Sequence, residues 1–528
     1  MRIEKLSNKE SGQWKRLLKD YLDGAPILDS LYGRRPELNA FEGQISDKAK
    51  SFGNRTVLVD ALGKQYSDLG IQGNSELLIN SLKEENTFTV TTGHQLCLMG
   101  GPAYFIYKIA GCISLARALK EKYPNKKFIP VFWLATEDHD FAEINHFHLF
   151  NRRFEWNIDS KGPVGRLKLE DFESLSEELK EVLGNADFAE ELYDTFQKSY
   201  LQSNNLSEAT IKLVHELFGF DELLCLDADE FSLKSLFVPI MEQELLEETR
   251  FKSVQKANEI LTKADYTTQI HLREINLFYI QDNYRERIIS DGNEWSTKDG
   301  NHKWSKEQVI EELHAHPECF SPNVAMRPLY QECILPNLAY IGGGGEMAYW
   351  LQLKPIFDAF KVDFPMLIPR LSATSVLPSV AKKIDKLGLP IQDYFNREED
   401  LIKKYMAELT PLQGFDEEEK MIELIEKSLM DKMQELDEGF RKSIAADVNA
   451  MQKLLERIQG KYGKQFKQKE ETSINQLRSV QNAIYPHSKL QERHENFSSW
   501  YLRSGKDALN SLIDSMDPFE FNMLVMYL

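Results

Sequence analysis

The chain has 5 cysteines in 528 residues, at positions 97, 112, 225, 319 and 333, and no CxxC pair. This scarcity, odd count and wide spacing argue against a disulfide framework or a thiolate zinc cluster, and for reduced thiols in a cytoplasmic protein. Surplus positive charge is missing as well: 64 Lys and Arg stand against 83 Asp and Glu, a net charge of −19. A surface that coats nucleic acid needs the opposite balance, because neutralising phosphates takes Lys and Arg. A convincing membrane span is also lacking. Residues 86–107 carry no Asp, Glu, Lys or Arg, but they contain His94, Gln95, three glycines and Pro102, which suit a buried strand and turn better. The opening MRIEKLSNKESGQWKRLL is charged throughout and offers no apolar core for a secretory signal.

What is present is an ordinary globular composition, 42% hydrophobic and 28% charged. The length exceeds what one hydrophobic core usually serves, which predicts a large α/β domain with insertions and an appended module. Five short apolar runs, 87–91, 128–135, 223–226, 338–341 and 366–368, read as buried parallel strands. Helical patterns separate several of them. Residues 103–122 place Ile106, Ile109, Ala110, Ile113 and Ala116 on one face and gather Arg117, Lys120 and Lys122 in the last turns, where cations complement the helix dipole. Further helices are expected over 206–218 and after the glycines at 342–345. Strands alternating with helices imply a doubly wound parallel sheet. Two stretches interrupt the alternation and read as insertions: 146–203, with an aromatic start and a Glu-rich helical part, and 264–323, with β-type segments and turn signals at Asp291-Gly292 and Asp299-Gly300.

After Pro378 the pattern becomes charged helix. Ile422, Ile425, Leu429, Met433, Leu436, Phe440, Ile444, Val448, Met451, Leu455, Ile458, Tyr462 and Phe466 recur at steps of three or four, as in a coiled-coil seam. Their mean step, about 3.67, is nearer an eleven-residue than a seven-residue repeat, so no strong left-handed supercoil is expected. A break at 437–439 would fold the run into an antiparallel hairpin. The seam is open to pairing within the chain or between two chains.

In an open parallel sheet, ligands bind beyond the carboxyl ends of the strands. Those ends here lead into Gly93-His94-Gln95, Glu137-Asp138-His139-Asp140, Asp227-Ala228-Asp229, Gly342 to Gly345 with Glu346, and Arg370. The turn from Gly93 through Gly101 and Pro102 offers helix-start N–H groups for a phosphate or carboxylate, or is simply a tight turn. His94 is a candidate phosphate donor or acid–base group. Lys108, more than a turn into the helix, is expected to run to solvent. Cys97 is a candidate nucleophile, and Cys112, Cys225 and Cys333 are expected in the core. Glu137 to Asp140, with Glu143, His146 and His148, form a dense ionisable cluster. It suits a metal site, an acid–base site or, more plainly, helix capping by Asp138 or Asp140, although its spacing matches no standard metal motif. Gly343 and Gly344 permit close approach of a ligand or make a flexible turn. Glu346 suits a substrate amine, and Arg370 an anion or a structural ion pair.

The segments TTGHQLCLMGGPAYFIYK (Thr91 to Lys108), PVFWLATEDHDFAEINH (Pro130 to His146), RPLYQECILPNLAYIGGGGEMAYW (Arg327 to Trp350), PRLS (Pro369 to Ser372) and IYPHSKLQER (Ile484 to Arg493) resemble the BshC family, the cysteine ligases of bacillithiol biosynthesis. The resemblance implies a Rossmann-like core with inserted segments and a C-terminal α-helical coiled coil that supports a homodimer. The boundaries expected here are 1–380 for the core, with insertions near 146–203 and 264–323, and 381–528 for the helical region. The implied reaction adds cysteine to glucosamine-malate, with ATP or another nucleotide as the suggested activator and no metal assigned. Gly93-His94-Gln95 only partly matches an HxGH motif, and Arg370-Leu371-Ser372 is not a KMSKS loop. His139, supported by Asp138 or Asp140, is then the expected base for the glucosamine amine. Gly93, Gln95, Gly101, Pro102, Glu137, Asp227, Gly343, Gly344, Glu346 and Arg370 are the expected binding residues, and His94 is a further catalytic candidate. No nucleic acid or membrane partner is expected. The competing readings are a metal-dependent hydrolase and a non-enzymatic coiled-coil scaffold.

Overall fold

The computed structural model describes residues 1–8, 14–71, 73–247, 251–270, 272–409, 415–432 and 438–528. Five strands, β1 (Thr87–His94), β2 (Lys127–Leu134), β3 (Leu224–Asp227), β4 (Asn337–Gly342) and β5 (Met366–Pro369), form one sheet in the order β5-β4-β1-β2-β3. All four pairings are parallel. Every apolar run expected as a strand is therefore in this sheet. Alternate residues explain the burial of both faces. In β2, Ile129, Val131 and Trp133 enter one core cluster, and Phe132 and Leu134 enter another. The threonines of β1 tolerate burial because their hydroxyls are used: Thr91 donates to Asn337 Oδ1 at 2.8 Å and Thr92 to the Ile341 carbonyl at 2.8 Å.

Helix α1 (Tyr104–Lys122) follows β1 and is buried on nearly all sides up to Ala116. Helix α2 (Leu206–Phe218) precedes β3, and α3 (Gly344–Phe360) follows β4. The first insertion opens with a hairpin, His146–Leu149 against Arg152–Glu155, and continues into the helices Phe172–Leu183 and Ala189–Phe196. The second builds an antiparallel sheet that includes Leu277–Gln281, Tyr284–Ser290 and Trp295–Thr297. Its turn signals are used as turns: Gly292 and Gly300 have φ of 94° and 76°.

The chain separates into two compact units, 1–375 together with 492–526, and 376–491. The segment 492–528, expected with the helical region, thus groups mainly with the sheet. Helix α6 (Ser498–Ser515) buries Trp500, Tyr501 and Leu509 in the cluster that holds Phe105, Ile106 and Ile109 of α1. Burial of those side chains holds it there. In the other unit, α4 (Asp416–Lys432) and α5 (Glu438–Lys469) pack as an antiparallel pair. Phe415 meets Tyr462 at 5.8 Å between ring centroids, and Gln459 donates to Glu419 at 2.9 Å. The seam is partly satisfied within the chain, although Val448 is the only one of its described residues that is fully buried. Seam positions Met433 and Leu436 and the proposed break from Asp437 lie outside the described residues. Among the described residues no helix is long and apolar enough to cross a membrane.

Candidate active site

Strands β1 and β4 are neighbours, and the chain moves outward from them in opposite directions, to β2 and β3 on one side and to β5 on the other. Their carboxyl ends are therefore the topological switch point, where the outgoing connections part and leave a crevice. A cavity of about 860 Å³ opens there, lined among others by Gly93, His94, Gln95, Tyr104, Lys108, Glu137, Asp138, Tyr340, Gly343, Gly345, Glu346 and Arg370.

Lys108 ties the two strand ends together. Its Nζ donates to the Gly93 carbonyl at 2.6 Å and meets Glu346 Oε2 at 2.6 Å. Contrary to the expectation of a solvent-bound lysine, it is 4% exposed, because one turn of α1 past Tyr104 lies beneath the ends of β1 and β4. Glu346 stands in the first turn of α3, where the sequence placed it. Its Oε1 accepts from the Tyr340 hydroxyl at 2.6 Å and its Oε2 from the Gly343 amide at 2.8 Å. Burial opposes ionisation of Glu346, but Lys108 outweighs it and holds the carboxyl below its ordinary range. With these bonds in place, Glu346 serves as an organiser of the crevice more than as a ligand for a substrate amine. The glycine run is not a flexible turn. Gly343 caps α3, Gly344 is already helical and faces Leu18, and Gly345 has open space on its Cβ side. The N–H groups at this helix start lack intrahelical acceptors and suit an anion.

His94 ends β1 and is 8% exposed. Burial is the main cause that lowers its pKa to about 3, with Lys108 adding to it, so the ring is neutral. Its Nδ1 lies 2.8 Å from the Gln95 carbonyl, which can only accept; the proton therefore sits on Nδ1, and Nε2 is an acceptor. Gln95 Nε2 donates to Asp138 at 2.9 Å and to Glu143 at 2.8 Å, joining the two motifs TTGHQ and TEDHD. Cys97 is buried, and burial raises its thiol to about 12, which removes it as a nucleophile. Cys112 and Cys225 are core residues as expected, and Cys333 is half-buried.

The turn at Gly101 and Pro102 does not cradle a ligand. The Gly100 and Gly101 amides bond within the turn, the Met99 amide donates to the Tyr200 hydroxyl at 2.7 Å, and the Ala103 amide donates to the Glu495 carbonyl at 2.8 Å. Neither Gly101 nor Pro102 lines the cavity. Gly101 is required for another reason: its φ is 62°, and a Cβ would lie 2.7 Å from Cys97 Cβ.

The ionisable cluster after β2 disperses instead of converging. Glu137 turns to the buried Lys234 ammonium, and burial keeps its carboxyl above the ordinary range. Asp138 accepts the amides of His139 and Asp140, so it caps the turn; hydrogen bonds from His139 and Gln95 overcome its burial and hold its pKa down. His139 Nδ1 lies 2.8 Å from Arg285 Nη1. A guanidinium only donates, so that imidazole nitrogen is the acceptor and its lone pair is taken. His139 and Asp140 are exposed and outside the cavity lining, which counts against His139 as the base. His146 bonds Asn145, and His148 stacks on His494. Among the described residues no three His, Cys, Asp or Glu side chains converge as a metal-ligand set.

Asp227 is also outside the lining. It accepts from Thr136 at 2.7 Å and from Ser207, fastening the ends of β2 and β3, and burial raises its pKa. Arg370 lines the cavity and forms the ion pair named as its plainer reading, with Glu492 at 2.6 Å. Its Nε is buried and has no partner. Glu492 and the lining residue Arg493 come from the end of IYPHSKLQER, more than a hundred residues further along the chain. Their only sequence signal was that motif. Arg327, at the start of the RPLY segment that precedes β4, also lines the cavity, and its Nη2 lacks a partner.

The family model described as the bacillithiol biosynthesis BshC N-terminal Rossmann-like domain matches residues 1–371, and that of the BshC C-terminal coiled-coil domain matches 373–528. A BshC protein of Flavobacterium johnsoniae is 41% identical over 526 residues, covering 98% of each chain. One of Flavobacterium psychrophilum is 40% identical over 97% of each chain. One of Bacillus cereus is 28% identical over 99% of this chain and 98% of its own. With both domain models matched end to end and such relatives covered over nearly their whole length, the chain belongs to the BshC family of bacillithiol biosynthesis.

Proposed function

We propose that this chain performs the cysteine-adding step of bacillithiol assembly, joining the carboxyl carbon of cysteine to the amine of glucosamine-malate. The relatives are named for cysteine ligation, and the observation that carries the reading to this chain is the cavity at the β1/β4 switch point, organised by Lys108, Glu346 and Tyr340. Forming the amide requires the carboxyl to lose an oxygen and the amine to lose a proton. A bound nucleotide would supply the leaving group for that oxygen. The groups present fit its phosphates: the helix-start amide of Gly345, and the unpartnered Arg370 Nε and Arg327 Nη2. Neutral His94, with Nε2 as acceptor, orients the amine by accepting a hydrogen bond from it, in place of His139, whose Nδ1 is engaged by Arg285; a ring held neutral does not keep the proton, which leaves with the departing phosphate or to solvent. The metal-dependent hydrolase and the scaffold gain no support from the relatives.

The chain would act as a homodimer. Met421, Leu424, Ile425, Met451, Leu454 and Ile458 on α4 and α5 are each more than 40% exposed within one chain, an apolar row that a second coil would cover.

The experiment for the reaction is a mass-spectrometric assay of the purified chain with cysteine, glucosamine-malate and each nucleoside triphosphate in turn. Product of the bacillithiol mass with one nucleotide is expected. No product under any condition would remove the assignment.

A further inference from the structure

The antiparallel sheet of the second insertion brings its own cations to the cavity. Arg285 and Arg287 are two apart on one strand, so their side chains leave the same face. The Lys298 amide donates to the Arg287 carbonyl, which makes Lys298 the cross-strand neighbour of Arg287. Phe278 pairs with Arg287 across the other ladder, and the Arg285 guanidinium lies 3.8 Å from the centre of its ring. All four side chains line the cavity. Arg285 Nε is buried without a partner, and neither Arg287 nor Lys298 has an ion pair among the described residues. In a chain of net charge −19, three cations on one face of one cavity, of which Arg287 and Lys298 have no ion pair among the described residues, point to an anionic ligand even with Glu286 in the same lining. This face has no helix start and no free run of backbone N–H groups, unlike the crevice at Gly343. Side-chain forks suit planar carboxylates, and two or three cations match a dicarboxylate.

We infer that Arg285, Arg287 and Lys298 form a specificity subsite for the two carboxylates of the malyl group, so that the insertion selects the sugar by its aglycone while the β1/β4 crevice holds the reacting end. This rests on the proposed reaction for the identity of the substrate. It does not depend on that reaction for the binding itself.

Arg287→Met and Lys298→Met, singly and together, test it, with circular dichroism as the check of folding; Lys298 is exposed, so its single variant keeps the fold. With glucosamine-malate the double variant should raise KM at least about tenfold while kcat and the KM for cysteine stay within about twofold. Methyl glucosaminide, which has no carboxylate, should be handled alike by wild type and variants. Calorimetric titration of the full chain with L-malate should show binding in wild type that is lost in the double variant, with pyrophosphate binding kept. If malate binding is lost in the variant but wild type makes no product, the subsite stands and the reaction fails. Unchanged malate affinity, no malate binding in wild type, or loss of pyrophosphate in place of malate would overturn the subsite.

Discussion

A lysine ammonium taken out of water stays charged only if its surroundings replace the lost hydration, and at Lys108 the Gly93 carbonyl and Glu346 do so. Lys108→Met leaves the half-buried Glu346 without its counter-ion and should cost about 1–3 kcal/mol in chemical denaturation. Lys108→Met with Glu346→Gln should cost less than the two single changes together, and strict additivity would show that the pair is not coupled. His94 gives a second test at this scale. Its folded pKa of about 3 lies below the unfolded value of 6.5, so its contribution to stability is complete above pH 6.5 and is lost as pH falls towards 3. Relative to His94→Phe, the wild type should lose about 1 kcal/mol between pH 6.5 and 5.5 in urea melts. A parallel pH dependence in both proteins would mean that the ring titrates normally. That Gly93, His94, Gln95, Glu346 and Arg370 line the cavity was legible, because they follow strand ends in a parallel sheet. Lys108 was not, since helical periodicity gives a side chain's angle around its helix but not the sheet that lies over it.

Among elements, the five parallel strands were readable because burial on both faces makes them short continuous apolar runs. The cavity's outer wall was not, for a different reason. Arg285, Arg287 and Lys298 look like ordinary solvated residues of a hairpin, and only the fold brings that hairpin over the mouth of β2. The same holds for Glu492 and Arg493, whose return to the sheet unit depends on the burial of Trp500 and Tyr501 far along the chain. The α4–α5 pair makes its own prediction. Sedimentation equilibrium should give twice the 61.1 kDa chain mass, and Ile425→Glu with Ile458→Glu should shift it to one chain. A monomeric wild type at micromolar concentration would contradict the dimer.

For the whole molecule, charge separates surface from site. The chain is strongly acidic, yet the cavity at the switch point gathers Lys108, Arg285, Arg287, Arg327, Arg370 and Arg493. Such a contrast draws a small anion into the cavity. Affinity for glucosamine-malate should accordingly fall as salt rises from 50 to 500 mM, in calorimetric titrations, by about threefold or more. An affinity independent of salt would place the cations in structural roles. The central claim is that reaction and binding occur between the ends of β1 and β4. Its most direct test is a crystal structure with glucosamine-malate bound. The sugar amine is expected beside His94 and the malyl carboxylates at Arg285, Arg287 and Lys298; density for the ligand anywhere else in the molecule would contradict this placement.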